Sequence, residues 1–391
     1  MIRIGQREID AVARVINGGK LFRYTFSADI PSETQVFERE WAEKMGTKYC
    51  LSVSSGTAAL ISALAGCGIG PGDEVILPGY TFISSANAIL AVGAIPVLAD
   101  IDDAMMLDPK SVESLIGPRT KAIMPVHMLG IPADMDGIMD VANRHNLLVI
   151  EDACQADGAS YKGRRLGSIG TAGCYSFNYF KIMTCGEGGA FVTNDYDLYS
   201  KASMMHDGGI AFWPHPGKET SPIFIGLEFR MNNILAAILR EQAEQLDGWI
   251  YDGRAIKARI TEELKGTITP IPSHDTDGEC GISLGFRYDT EEEAVAVMEA
   301  LAAANVSHMR PFDTDRHVYA NWEPIINHRV MHCNALNPFN NPANAECRTE
   351  YTADMLPHTL DLMKRTLFLN LNPYMGEEAI VKIITTLKAT K

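Results

Sequence analysis

No apolar run among the 391 residues approaches the length of a membrane span, and the opening string Met1-Ile-Arg-Ile-Gly-Gln-Arg-Glu-Ile-Asp10 holds no signal-peptide core. A soluble, cytoplasmic protein is expected. Basic residues are outnumbered: 34 Lys and Arg stand against 49 Asp and Glu, a formal charge of −15. That balance argues against non-specific binding to nucleic acid or to an anionic membrane, while leaving room for a local basic pocket. The eight cysteines include no Cys-x-x-Cys pair, so buried reduced thiols are expected. Ten histidines without metal-ligand spacing make no case for zinc. Internal repeats and low-complexity tracts are absent too. What is there is an ordinary globular composition, 46% hydrophobic and 21% charged with 33 glycines, and length for two or three domains.

Ser32 and Gln35 read as a capping box that opens a helix over 33–44, stopped by Gly46. Strands are expected at 49–54, 74–77, 96–99, 122–126 and 147–150, with helices at 56–67, 84–92 and 134–145. Strands and helices alternating at this spacing imply βαβ units, hence an α/β fold with a mostly parallel sheet covered on both faces. After Gly189 the pattern loosens. A Gly-, Pro- and Trp-rich loop (208–222) leads to a long helix near 231–264. A strand at 282–288, a helix at 290–304 and a polar, Pro-rich segment (311–342) follow, then a strand at 366–369 and a helix at 376–389. Two domains are expected, 1–245 and a smaller α+β unit over 246–391, joined by the long helix.

The most unusual string is Ser176-Phe-Asn-Tyr-Phe-Lys181-Ile-Met-Thr-Cys-Gly186-Glu-Gly-Gly189. Phe177, Tyr179, Phe180, Ile182 and Met183 are poor company for a solvated surface lysine. Upstream, Glu151-Asp152-Ala-Cys154-Gln155 ends an apolar run. A carboxylate at the end of a buried strand is costly unless something pairs with it. A lysine amine near such a carboxylate and a phosphate cradle is what pyridoxal 5'-phosphate chemistry needs: the lysine forms a Schiff base, and the carboxylate keeps the ring nitrogen protonated. Ser54-Ser55-Gly56-Thr57-Ala58-Ala59-Leu60 sits where a strand gives way to a helix, whose free N–H groups and dipole suit a phosphate. On its own this turn reads better as a serine N-cap, and no Gly-Lys-Ser/Thr follows to make it a P-loop. Phe82, in Pro78-Gly-Tyr-Thr-Phe82, reads on its own as a core residue. Cys154 and Cys185 flank the site and read as packing residues, and Glu151 as structural.

Together these strings resemble the DegT/DnrJ/EryC1/StrS family of pyridoxal-phosphate-dependent sugar aminotransferases. Motifs at 56–60, 78–82, 125–130, 152–155, 176–189 and 226–231 fall in that family's order. The resemblance implies the aspartate-aminotransferase-like fold type I: a large domain with a mixed seven-stranded sheet, a smaller α+β C-terminal domain, and a homodimer with shared active sites. It implies that Lys181 carries the cofactor and moves the proton, and that Asp152 holds the ring nitrogen. Gln155 would bond the ring hydroxyl, Phe82 would stack on the ring, and Gly56, Thr57, Ala58 and Ser176 would hold the phosphate, with no metal. His127 and His206 match family positions and read equally as substrate-facing or structural.

One position departs. In Gly226-Leu-Glu228-Phe-Arg230-Met231 a carboxylate stands where the family usually has Asn; it would repel a phosphate unless it turns away or pairs with Arg230. The implied reaction moves an amine from L-glutamate or glutamine to a keto-sugar. Dehydratase relatives carry histidine in place of Lys181, so the lysine points to aminotransfer. Leu21-Phe-Arg-Tyr24 and the Trp322 region resemble a branch that aminates 3,8-dideoxy-8-oxo-manno-octulosonate for lipopolysaccharide. A nucleotide-linked keto-hexose, an antibiotic-sugar precursor and a non-catalytic, cofactor-binding regulatory paralogue are the alternatives.

Overall fold

The computed structural model describes residues 4–25, 30–209, 218–330 and 336–390. Parts of the 208–222 loop and of the 311–342 segment, with Cys333, lie outside the described residues. After α1 (Gln6–Asn17), helix α2 (Glu33–Met45) starts and stops as its sequence dictates. Ser32 Oγ accepts from the Gln35 N–H at 3.2 Å, Gln35 Oε1 accepts from the Ser32 N–H at 2.9 Å, and Gly46 ends the helix at φ +72°.

Next come β1 (Tyr49–Val53), α3 (Gly56–Gly66), β2 (Glu74–Pro78), α4 (Ser84–Ala91), β3 (Ile95–Ala99), α5 (Pro109–Ser114), β4 (Thr120–Ile123), α6 (Met135–His145) and β5 (Leu148–Asp152). Strands β2 and β3 are buried at every residue, as a sheet covered on both faces requires. A small hairpin, β6 (Ser160–Tyr161) and β7 (Arg164–Arg165), precedes β8 (Ala172–Ser176), β9 (Gly189–Thr193) and α7 (Tyr196–His206). The sheet order is β1-β9-β8-β5-β4-β2-β3. Strands β3, β2, β4, β5 and β8 run parallel, while β9 is antiparallel to both β8 and β1, so the seven-stranded sheet is mixed.

Helix α8 (Asn233–Glu263), capped by Asn232, runs unbroken through position 245. Beyond it lie β10 (Ser283–Arg287), α9 (Glu291–Ala303), β11 (His308–Met309), α10 (Glu323–Ile326), α11 (Pro357–Arg365), β12 (Thr366–Asn370) and α12 (Glu377–Lys388). Strands β10, β12 and β11 form a three-stranded antiparallel sheet over its own core, which includes Leu284, Phe286, Leu301 and Ile383. Trp322, Ile325, Tyr351 and Leu356 pack instead in the core of the seven-stranded sheet. The chain between β11 and β12 therefore returns to the larger half, and it brings His317 to the site. No described helix is long and apolar enough to cross a membrane.

Candidate active site

Strands β1, β2, β5 and β8 end on one edge of the large sheet, where open α/β folds place ligands. A cavity of about 510 Å³ opens there. Gly56, Thr57, Phe82, Asp152, Gln155, Ser176 and Lys181 all line it. Ala58 does not: its side chain is buried, and its N–H donates to Ser55 Oγ at 3.1 Å.

At one end, the first turn of α3 presents the N–H groups of Gly56 and Thr57, which have no acceptor among the described residues. Gly56 is required by close approach. A Cβ there would meet Cys154 Sγ and Ser176 Cβ, each at 2.8 Å. Its packing brings Ser176 against the helix N-terminus, and the Ser176 hydroxyl has no partner among the described residues. Two free N–H groups, a hydroxyl and a helix dipole form an anion cradle.

Across the cavity, the Asp152 carboxylate is 4% exposed. Ser85 Oγ lies 2.8 Å from its Oδ2, and the Cys154 N–H donates to its Oδ1 at 3.1 Å. Thr81 Oγ1 extends the chain, 2.7 Å from Ser85 Oγ. Neither Ser85 nor Thr81 stands out in the sequence, because no motif spacing links α4 to the end of β5. Gln155 Oε1 accepts from the Leu129 N–H at 3.1 Å, which fixes the side chain and leaves its amide N–H groups free.

Lys181 sits on a loop held from within. Phe177 and Tyr179 donate their N–H groups to the carbonyls of Gly188 and Gly186, both at 2.9 Å, and the Lys181 N–H donates to the Asn178 carbonyl at 2.9 Å. Gly186 takes φ +92°, so the Gly-Glu-Gly-Gly run is a backbone turn, as its sequence suggests. Phe177 anchors the loop in the core, edge-on to Trp41 with ring centroids 5.4 Å apart. The Lys181 amine has no hydrogen-bond or ion-pair partner among the described residues. Phe82 faces the ring of His317 at 5.3 Å and 49°. Burial, with the Lys181 charge beside it, pushes the His317 imidazole down to about 4. His317 and Arg316 are cavity residues whose place in a long irregular segment gave no individual signal.

Other candidates lie elsewhere. His127 is fully buried; its Nδ1 accepts from the Ala133 N–H at 3.1 Å, and its Nε2 lies 3.2 Å from Glu151 Oε2. Glu151 also accepts from the N–H groups of Gly167, Ile169 and Gly170, so both are structural. His206 is buried against the Ser203 carbonyl and does not line the cavity. Arg230 pairs with Asp207 and with Glu228, each at 2.6 Å. The departing carboxylate thus pairs with its neighbouring base, whose single charge it shares with Asp207. Burial raises the thiols of Cys154 and Cys185, the latter to about 12, so both are inert packing groups. Among the described residues, no cluster of His, Cys, Asp or Glu could hold a metal.

Residues 3–323 match the sequence profile of the DegT/DnrJ/EryC1/StrS aminotransferase family. The chain belongs to that family. GDP-perosamine synthase of Caulobacter vibrioides is 48% identical to it over 212 residues, 54% of this chain and 56% of that protein. L-glutamine:2-deoxy-scyllo-inosose aminotransferase of Streptomyces fradiae is 39% identical over 279 residues, 68% of this chain and 65% of that protein. The chain therefore matches less than two thirds of either relative's length. The solved structure of S. venezuelae DesV with a ketimine intermediate is 30% identical, covers 98% of this chain and 93% of that one, and superposes with a TM-score of 0.79. The fold is that of the pyridoxal-phosphate aminotransferases. The residues present fit that cofactor: an anion cradle, a buried carboxylate, an aromatic wall and an unpaired lysine converge on one cavity.

Proposed function

We propose that this protein is a pyridoxal-phosphate-dependent aminotransferase that moves an amino group from L-glutamate or glutamine to a keto-sugar. The observation that carries the reading is that Lys181 and Asp152 line one cavity with an anion cradle at its end. When bound, the cofactor supplies an electron sink for cleaving a C–H bond. The N–H groups of Gly56 and Thr57 and the Ser176 hydroxyl would hold its phosphate. Asp152, fixed by Ser85 and the Cys154 N–H, would accept a hydrogen bond from the protonated ring nitrogen and keep it charged. Gln155 would donate to the ring hydroxyl, and Phe82 would cover one ring face. Lys181 Nζ would anchor the cofactor and carry the proton as general base and acid.

The acceptor we put first is 3,8-dideoxy-8-oxo-manno-octulosonate, which would place the reaction in lipopolysaccharide synthesis. The likeness to GDP-perosamine synthase favours a nucleotide-linked keto-hexose as the second reading. The unpaired lysine and the hydrogen-bonded Asp152 favour an active enzyme over a non-catalytic paralogue. We place the reaction in the cytoplasm, with no membrane or nucleic-acid partner. A homodimer belongs to the same proposal: Ile223, Ile225 and Leu227 are exposed by 70, 97 and 48%, and Phe180 at the cavity by 86%. Side chains of that kind mark a surface that another chain covers. Incubation of each keto-sugar with glutamate or glutamine ¹⁵N-labelled at the α-amine, followed by mass spectrometry, tests the assignment. The reading requires a ¹⁵N-labelled amino sugar from one pairing; label retained in both donors with every keto-sugar would sink it.

A further inference from the structure

A second cavity, of about 520 Å³, adjoins the first and shares Gln155, Phe180, Lys181 and His317 with it. Its other walls come from Leu129, Ile182 and Ile282, and from the loop at the end of β12, residues 370–373. Among the described residues its lining contains no Asp, Glu or Arg, and Lys181 is its one lysine. An apolar floor with a few placed polar groups is how proteins orient a small molecule.

The polar groups that the small sheet adds are the amides of Asn370 and Asn372, and each is half used. Asn370 Nδ2 donates to Ser307 Oγ at 3.0 Å, which leaves its carbonyl oxygen as an open acceptor. Asn372 Oδ1 accepts from the Tyr374 N–H at 3.0 Å, which leaves its two N–H donors open. Both side chains are held in place by the bonds they do make. A hydroxyl is donor and acceptor at once, so one free acceptor and one free donor set suit a hydroxylated ring. A carboxylate would gain from only one of them and would find no guanidinium on these walls.

We propose that this second cavity is the acceptor subsite, and that Asn370 and Asn372 read hydroxyl groups on an uncharged part of the sugar next to its ketone. The proposal rests on the aminotransferase reading above and adds the residues that select the substrate. The amides are specificity residues: they touch the sugar and take no part in proton transfer.

The test uses the Lys181→Ala protein loaded with pyridoxamine phosphate, the form an acceptor ketone would meet, which without the lysine cannot complete the transfer, and isothermal titration calorimetry as the readout. The probes are 3,8-dideoxy-8-oxo-manno-octulosonate and a GDP-linked keto-hexose, both rich in hydroxyls, and 2-oxoglutarate, which has none. Asn370→Ala removes the open acceptor. Asn372→Ser removes the open donors but keeps an oxygen for the Tyr374 N–H, so the turn is retained. Each change should weaken a hydroxylated ketone about fivefold to tenfold, the value of one or two hydrogen bonds, and Asn370→Ala, which removes only an acceptor, should leave 2-oxoglutarate within twofold. Equal weakening of all probes, no weakening of any, or no binding of either hydroxylated ketone overturns the proposal. Failure of the aminotransferase reading would show separately, as a wild-type protein whose Lys181 never binds the cofactor.

Discussion

Ser85 Oγ stands 2.8 Å from Asp152 Oδ2, joining the first turn of α4 to the end of β5 across the cavity floor. This hydrogen bond to a buried carboxylate aims the other lone pairs at the space where the ring nitrogen would sit. Ser85→Ala leaves Asp152 with the Cys154 N–H alone. The expected outcome is weaker retention of pyridoxal phosphate by about tenfold, the worth of one hydrogen bond to a charged group, measured by fluorescence titration of the cofactor-free protein. Unchanged affinity would mean that Ser85 serves only α4.

Gly56→Ala tests the cradle's packing. The added methyl would press on Cys154 Sγ and Ser176 Cβ at 2.8 Å. Destabilisation of about 1–3 kcal/mol in urea unfolding is expected, together with loss of cofactor affinity as Ser176 is pushed from the helix N-terminus.

Asp157 makes a pH prediction. Its side chain is fully buried, and neither carboxylate oxygen has a hydrogen-bond partner among the described residues. Burial pushes its carboxyl well above the usual range, against the opposing pull of Lys181. Below the unfolded value of about 4 both states hold the proton, so its contribution to stability is complete. As pH rises toward the folded value only the unfolded chain releases the proton, and stability is lost. Asp157→Asn abolishes that loss. Its stability relative to wild type should therefore be higher at pH 7.5 than at pH 4.5 in urea unfolding; a gap independent of pH would contradict the assignment.

His317 is predicted to stay neutral throughout the physiological range, since its imidazole is pushed down to about 4. In the cofactor-free protein its ring protons should titrate near there by NMR. Replacing Lys181 with Ala should move the midpoint upward, because the lysine's charge opposes protonation.

Much of the large half is legible in the sequence because its signals are local. Ser32, Gln35 and Gly46 carry the start and stop of α2 within fifteen residues, and the apolar runs of β2 and β3 are bounded by turns. Strands β8 and β9 escaped for a physical reason. Ala-Gly-Cys-Tyr-Ser and Gly-Ala-Phe-Val-Thr each open on small residues and are buried at every position, so they are short and show no alternation. The site residues Lys181, Asp152 and Gln155 were legible from motif strings. Ser85 and His317 were not, since what places them there is a long-range contact: a hydrogen bond between residues 67 apart for Ser85, and a bridge between Tyr80 and Val318 for His317. The place of Ala58 in the string puts it in the cradle, yet Ser55 claims its N–H.

The central claim is that Lys181 is the covalent anchor of a transaminating cofactor, and the near-visible absorbance spectrum tests it most directly. Pyridoxal phosphate added to the wild-type protein should produce the band of the lysine-bound cofactor, and L-glutamate or L-glutamine should bleach it. The Lys181→Ala protein should show no such band before an amine is added. A wild-type spectrum that never differs from that of Lys181→Ala would contradict the account at its root. A wild-type band indifferent to both donors would retain the anchor and remove the aminotransferase.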